Sequence, residues 1–226
     1  PMPKTENVHC NLCGGRSLTT IYDQVTRIDT PDTKVVQCTR CGLVYLSPRL
    51  KELADNFTMN EAYLRQFYLP MYQQMGLVSV EGKLITEINA NFHRYYLDGL
   101  APYRSNNRML DIGCAIGLFL AAAKVNGWDV YGLDPSAPLS AYGRETIGVN
   151  VLHAELQELE FPNDYFDVVT LWNVVEHLLD PTAVLSEVHR VLRPGGRLII
   201  QVPNWSDIAR DILGPTWDMF VTDHFY

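Results

Sequence analysis

Four of the five cysteines in this 226-residue chain fall in two C-x-x-C pairs, Cys10-Asn-Leu-Cys13 and Cys38-Thr-Arg-Cys41, each followed by a glycine, Gly14 and Gly42. Two such knuckles separated by a strand-like segment form the ribbon layout in which four thiolates hold zinc tetrahedrally. A closed thiolate shell leaves no position for water or substrate, so the expected role is structural. Neither pair opens a helix after a strand, which argues against redox chemistry, and His9 beside Cys10 is a bystander to a filled tetrahedron. A second set is Gly113, Gly117 and Asp134: two glycines bracketing a turn, then a carboxylate about twenty residues on, the separation at which an acidic side chain reaches the hydroxyls of a ribose. A third set is Glu176-His177 with His224, carboxylate and imidazole groups suited to taking a proton from a bound molecule. The plainer readings are a pocket wall for Glu176-His177 and an idle surface position for His224.

The elements around the glycine turn explain why it is placed where it is. Met109 to Ile112 is short and continuously apolar, as in a strand covered on both faces. The alanine-rich stretch from Leu118 to Asn126 reads as a helix closed by Gly127, and Val130 to Leu133 as the next strand, ending at Asp134. Further on, Val149 to Leu152 is a third strand leading to Glu155 and Leu156, and Val168 to Trp172 a fourth leading to Asn173. Asp180-Pro181 supplies a cap and a first-turn proline for a helix over Thr182 to Leu192. After the turn Arg193-Pro194-Gly195-Gly196, Arg197 to Val202 is a fifth strand. Five parallel strands in this order predict an α/β, doubly wound, mostly parallel sheet with ligands at the carboxyl ends, where Gly113, Asp134, Glu155 and Asn173 all fall. Upstream, helix-like spacing over Lys51 to Phe67 and Lys83 to Leu100 is rich in aromatics. Most should pack on the sheet, while Tyr63, Tyr68 and Tyr72 are candidates for a lid. The expected organisation is a zinc-ribbon module over 1–50, a helical linker or lid over 51–82, and a nucleotide-binding core over 83–226.

At these residues the chain resembles a known family. DIGCAIG, followed by the acidic end of GLDPS, is similar to the first signature motifs of class I S-adenosylmethionine-dependent methyltransferases, usually D-x-G-x-G-x-G, with Ala115 here at the middle glycine. The run FDVVTLWNVVEHLLDP and the turn Leu192-Arg-Pro-Gly-Gly196 extend the resemblance over residues 83–204 at least. It implies a Rossmann-like methyltransferase fold and S-adenosylmethionine as cofactor, held by Asp111, Gly113, Cys114, Ala115 and Gly117, by Asp134 and Pro135, by Glu155 and Leu156 toward the adenine, and by Asn173. In quinone-pathway O-methyltransferases an E-x-x-E-H set binds a divalent metal, and Asn173 departs from it here. The tail around His224 resembles the region holding an acidic-His pair in deoxysugar C-methyltransferases, which also carry a four-cysteine zinc module; Asp223 replaces the usual glutamate. Glu176, His177 and His224 are therefore the candidate catalytic bases. Family members usually continue past the fifth strand with a hairpin, so the C-terminal strands are expected to be missing from these residues. A partner or further chain should then cover the fifth-strand edge, which makes an oligomer one expectation.

Composition limits the remaining classes. A net charge of -8 with no Lys/Arg cluster in the ribbon disfavours nucleic acid, and with it an rRNA or tRNA methyltransferase. No apolar run approaches the ~20 residues that span a membrane, and the N-terminus lacks a signal-peptide layout, so a cytoplasmic protein is expected. The resemblance implies C- or O-methylation of a small-molecule acceptor such as a sugar nucleotide or another biosynthetic intermediate. Ala115 and the early end keep open a catalytically inactive, zinc-stapled binding protein. The fourth-strand NVVEH run speaks against an NAD-dependent enzyme.

Overall fold

The computed structural model describes residues 4–28, 30, 32–51 and 60–226. The chain divides into two compact units, the first formed by Pro1–Phe57, Asn173–Ala183 and Gln201–Tyr226, the second by Thr58–Trp172 and Val184–Ile200.

In the first unit, β1 (Leu18–Tyr22), β2 (Lys34–Cys38) and β3 (Val44–Ser47) form an antiparallel sheet in that order. The period of two decides what each face covers. Val36 and Tyr45, paired across β2 and β3, pack with Cys10 and Cys38, whereas Val35 and Leu46, paired one step along, pack with Val25, Trp217 and Phe220. One face thus lies under the cysteine knuckles and the other against aromatics from the end of the chain. The short helix Ile208–Leu213 in this unit is started by the Asp207 side chain, which accepts from the Ala209 N–H.

The second unit carries the parallel sheet. Its elements are α1 (Thr86–Leu100), β4 (Arg108–Ile112), α2 (Leu118–Val125), β5 (Asp129–Asp134), α3 (Ala137–Tyr142), β6 (Val151–His153), β7 (Phe166–Trp172), α4 (Pro181–Val191) and β8 (Leu192–Gln201). The strand order is β8-β7-β4-β5-β6, with parallel registers such as Asp111↔Gly132 and Asp111↔Thr170. This is the doubly wound order read from the sequence. The sheet tolerates α2 at close range because Gly132 lacks a side chain: a Cβ there would stand 2.5 Å from Leu120 Cδ1. Leu118 to Ala123 are all buried.

Two elements differ from expectation. The helix predicted over Lys51 to Phe67 falls partly outside the described residues, and from Glu61 the chain stays helical to Gln74, passing through the π-helical turn Leu64–Tyr68 just before Pro70, so that the proline does not end it. The last strand begins at Leu192 rather than Arg197. Asp164 and Tyr165 N–H donate to the Arg190 and Val191 carbonyls, so the chain leaves α4 already tied to the start of β7. Gly196 is required at this crossing, since a Cβ would lie 2.8 Å from the Asp167 carbonyl oxygen.

Asp167 fixes that end of the sheet. Its fully buried carboxylate accepts from the N–H groups of Ser105, Asn106 and Asn107 at 2.6–3.0 Å and from Arg193 Nε at 2.5 Å. Burial alone would raise its pKa, but these donors outweigh it and hold the carboxyl below the usual range. The resulting stability is present above the unfolded value and lost as pH falls through the depressed folded one. Asp167→Asn, which leaves Arg193 without its counter-charge, is expected to cost about 2–4 kcal/mol in urea unfolding; a loss under about 1 kcal/mol would contradict this role.

Candidate functional site

The turn after β4 has an alternating backbone that explains its sequence. Gly113, Ala115 and Gly117 have φ of 68°, 50° and 78°, so every second residue is left-handed. The D-x-G-x-G-x-G pattern names these three positions, and Ala115 occupies the middle one despite its Cβ. Gly117 is doubly constrained, because a Cβ there would also meet Val149 Cγ2 at 2.5 Å. The turn is anchored to β5. Gly113 and Cys114 N–H donate to the Leu133 carbonyl, Ala115 N–H donates to Asp134 Oδ2 at 2.8 Å, and Ser136 N–H donates to Asp134 Oδ1 at 2.8 Å. Each Asp134 oxygen keeps one lone pair for a ligand hydroxyl.

Asp111, one strand over, accepts from Thr170 Oγ1 at 2.6 Å. Burial pushes its pKa up to about 7 despite that bond, with the Asp134 charge adding to the rise. Burial likewise lifts Asp134 to about 6 against the pull of the Ser136 and Ala115 N–H groups. Burial and the same two carboxyls raise the Cys114 thiol. Two buried acids beside a left-handed turn favour a ligand carrying positive charge and hydroxyls. Tyr72 and Tyr68, two of the lid candidates, pack against the cluster containing Cys114 and Ala115, while Tyr63 is 41% exposed. Burial, then Asp111 and Asp134, raise the Tyr72 hydroxyl.

Other expected cofactor residues have local partners. Glu155 is exposed and forms a reciprocal capping box with Glu158 at the turn Leu156–Glu158, with Leu156 buried beneath. The Pro135 carbonyl lies 2.9 Å from His153 Nε2. Asn173 is left-handed at φ 54°, a conformation asparagine tolerates, and its N–H donates to the Gln201 carbonyl.

In the first unit, Cys10, Cys13, Cys38 and Cys41 place their sulfurs within 4.8 Å of one another. Each knuckle closes on its glycine: Gly14 N–H donates to Cys10 O and Gly42 N–H to Cys38 O. The backbone N–H of Cys41 leads the groups that pull the Cys38 thiol down to about 7. The Cys13 and Cys41 thiols move up instead, where the backbone N–H groups are outweighed by burial and the neighbouring sulfurs, and it is the convergence of four sulfurs that fits a zinc shell.

The same unit brings Glu176, His177 and His224 together, with one donor atom of each within 4.8 Å of the others. His177 Nδ1 lies 3.0 Å from the Asp223 carbonyl oxygen and 3.2 Å from its Oδ2. Asp223 thus pairs with His177 rather than with its sequence neighbour His224. Burial lowers His177, but Asp223 overrides it and the net direction is up; burial raises Asp223, and His177 carries it down. His224 Nδ1 lies 2.8 Å from the Met219 carbonyl, and burial and the neighbouring His177 push its pKa down. Glu176 is 1% exposed, neither carboxylate oxygen has a hydrogen-bond partner among the described residues, and burial raises its pKa. Sequence reasoning missed Asp223 as the partner of His177 and Thr170 as the partner of Asp111. The register of β4 against β7 could have found the second, since it pairs Asp111 with Thr170.

A family model described as a methyltransferase domain matches residues 83–226. The chain belongs to that family. It is similar to a ubiquinone biosynthesis O-methyltransferase of Bradyrhizobium sp. (strain ORS 278), 36% identical over 124 residues, 49% of this chain and 46% of the relative. It is also similar to a demethylmenaquinone methyltransferase of Clavibacter sepedonicus, 33% identical over 100 residues, 42% of this chain and 41% of the relative. The chain spans about half the length of the curated relatives it matches. Among solved structures, a SAM dependent methyltransferase from Archaeoglobus fulgidus shares the fold at a TM-score of 0.50 and 23% identity, covering 65% of this chain and 62% of that one.

Family members usually carry glycine where this methyltransferase domain has Ala115, and the left-handed φ sets what that difference costs. Holding alanine left-handed costs about 1–2 kcal/mol, and the glycine replacement gives back up to about 1 kcal/mol through its freer unfolded chain. Ala115→Gly is therefore expected to leave stability unchanged or raise it by up to about 1 kcal/mol in thermal unfolding. A loss of more than about 1 kcal/mol would mean that the turn carries no such strain.

Proposed function

We propose that this chain binds S-adenosylmethionine at the carboxyl ends of β4 and β5 and transfers its methyl group to a small-molecule acceptor. The cofactor, when bound, supplies an electrophilic methyl carbon on a sulfonium. The protein's part is to hold and orient. Asp134, fixed by the Ala115 and Ser136 N–H groups, is the observation that carries this reading, because both its oxygens are locked in place with lone pairs to spare for ribose hydroxyls. Asp111 supplies negative charge for a cationic ligand, and the turn from Gly113 to Gly117 lets backbone approach it closely. Family membership and the quinone-pathway methyltransferases among the relatives support transfer to a small molecule. The net charge of -8 weighs against a nucleic-acid acceptor. Among the described residues no helix is long and apolar enough to cross a membrane. Cys10, Cys13, Cys38 and Cys41 are proposed to hold a structural zinc. His224, His177 and Glu176 are the candidates for proton removal from the acceptor, and burial, with the neighbouring His177, favours the uncharged form of His224.

The test is calorimetric titration of the zinc-replete protein with S-adenosylhomocysteine, whose amino group is cationic. Asp134→Ala is expected to weaken binding by at least about tenfold, the scale of a lost hydrogen bond to a charged group. The pH dependence follows from Asp111. Below about 7 it is protonated and no longer attracts the ammonium, so affinity should be lower at about pH 6 than at about pH 8. The ligand-free fold shows the opposite trend at this residue: a raised folded pKa means stability lost as pH rises through it. Equal binding by wild type and Asp134→Ala would reject the proposed site.

A further inference from the structure

Residues of the first unit enclose a cavity of about 370 Å³, within the range that accommodates small ligands. Its walls are mostly apolar, with Trp205, Trp217, Phe220, Tyr45 and Val202 among them, and Glu176 and His224 also reach it. Among the described residues no lysine or arginine lines it. Glu176 is the unusual member: a carboxyl that is 1% exposed and accepts no hydrogen bond through either oxygen. Such a group is costly to bury unless a donor reaches it. His177 turns its Nδ1 to Asp223, and its charge works against the burial that raises the Glu176 pKa without a hydrogen bond to either carboxylate oxygen among the described residues. Arg210 lies over the Trp205 ring at 4.2 Å, and Arg49 over the rings of Phe225 and Tyr226, both of which line the cavity, at 5.3 and 5.8 Å, so these ring faces are taken by the chain's own cations.

We propose that this cavity binds an organic ammonium compound, its apolar body against Trp205, Trp217 and Phe220 and its ammonium donating to Glu176. An anion would meet the carboxyl with no arginine or lysine among the described lining residues to balance it, and a neutral apolar body would leave Glu176 without a donor. The cavity shares Glu176 and His224 with the proton acceptors proposed above, but ammonium binding is tested without the cofactor, so it can hold or fail separately from methyl transfer.

The experiment titrates the zinc-replete chain with three probes of one size: tyramine, 4-ethylphenol, which lacks the amine, and 3-(4-hydroxyphenyl)propionate, which carries an anion instead. Tyramine is expected to bind at least about tenfold more tightly than 4-ethylphenol, and the propionate not to bind. Glu176→Gln should bring tyramine down to the affinity of 4-ethylphenol and leave the latter unchanged. Val202→Phe, which fills part of the cavity, should weaken both. Equal affinity of tyramine and 4-ethylphenol for the unmodified protein overturns the proposal whether or not the variants fold. Tyramine binding that survives Glu176→Gln or Val202→Phe overturns it as well.

Discussion

The candidate cofactor site depends on one carboxylate. Asp134 ends β5, and its oxygens accept one N–H from the turn after β4 and one from the start of α3. Two strand ends and a helix start are thereby held against one another without any water-exposed side chain doing the work. Remove that acceptor and the Ala115 N–H loses its partner inside a buried turn, which costs about 1–3 kcal/mol by itself and frees the turn to relax from its left-handed alternation.

The rest of the second unit supplies the rigidity this junction needs. Gly132 and Gly117 bring α2 and the strands within distances a Cβ would forbid, so the turn cannot shift along the sheet without collision. Asp167 ties the opposite end of the sheet through three backbone N–H groups and Arg193. In the first unit the constraint is different. There the alternation of β2 and β3 separates a sulfur-rich face from an aromatic one, and the aromatic residues share a cavity with a buried carboxyl that has no partner.

Much of this was legible in the sequence. Continuous apolar runs ending in Gly113, Asp134 and Asn173 gave the parallel sheet and the edge at which those residues gather, because strand period and turn chemistry are local properties. The two C-x-x-C-G knuckles were legible for the same reason. What escaped were contacts set by tertiary register. Asp223 beside His224 reads as a pair, yet in space it serves His177. The strand after α4 begins at Leu192 because the start of β7 holds that segment, which no pattern within residues 192–197 reveals. Ala115 reads as a mild departure from a glycine motif, and only its φ of 50° shows what that departure costs.

The most direct measurement is the backbone amide spectrum of isotope-labelled protein, recorded while S-adenosylhomocysteine is added. If the cofactor sits at the ends of β4 and β5, the largest shifts will fall on Gly113, Ala115, Gly117 and Ser136, with little change at the cysteine knuckles. Shifts confined to the first unit, or none at all under saturating ligand, would contradict the account.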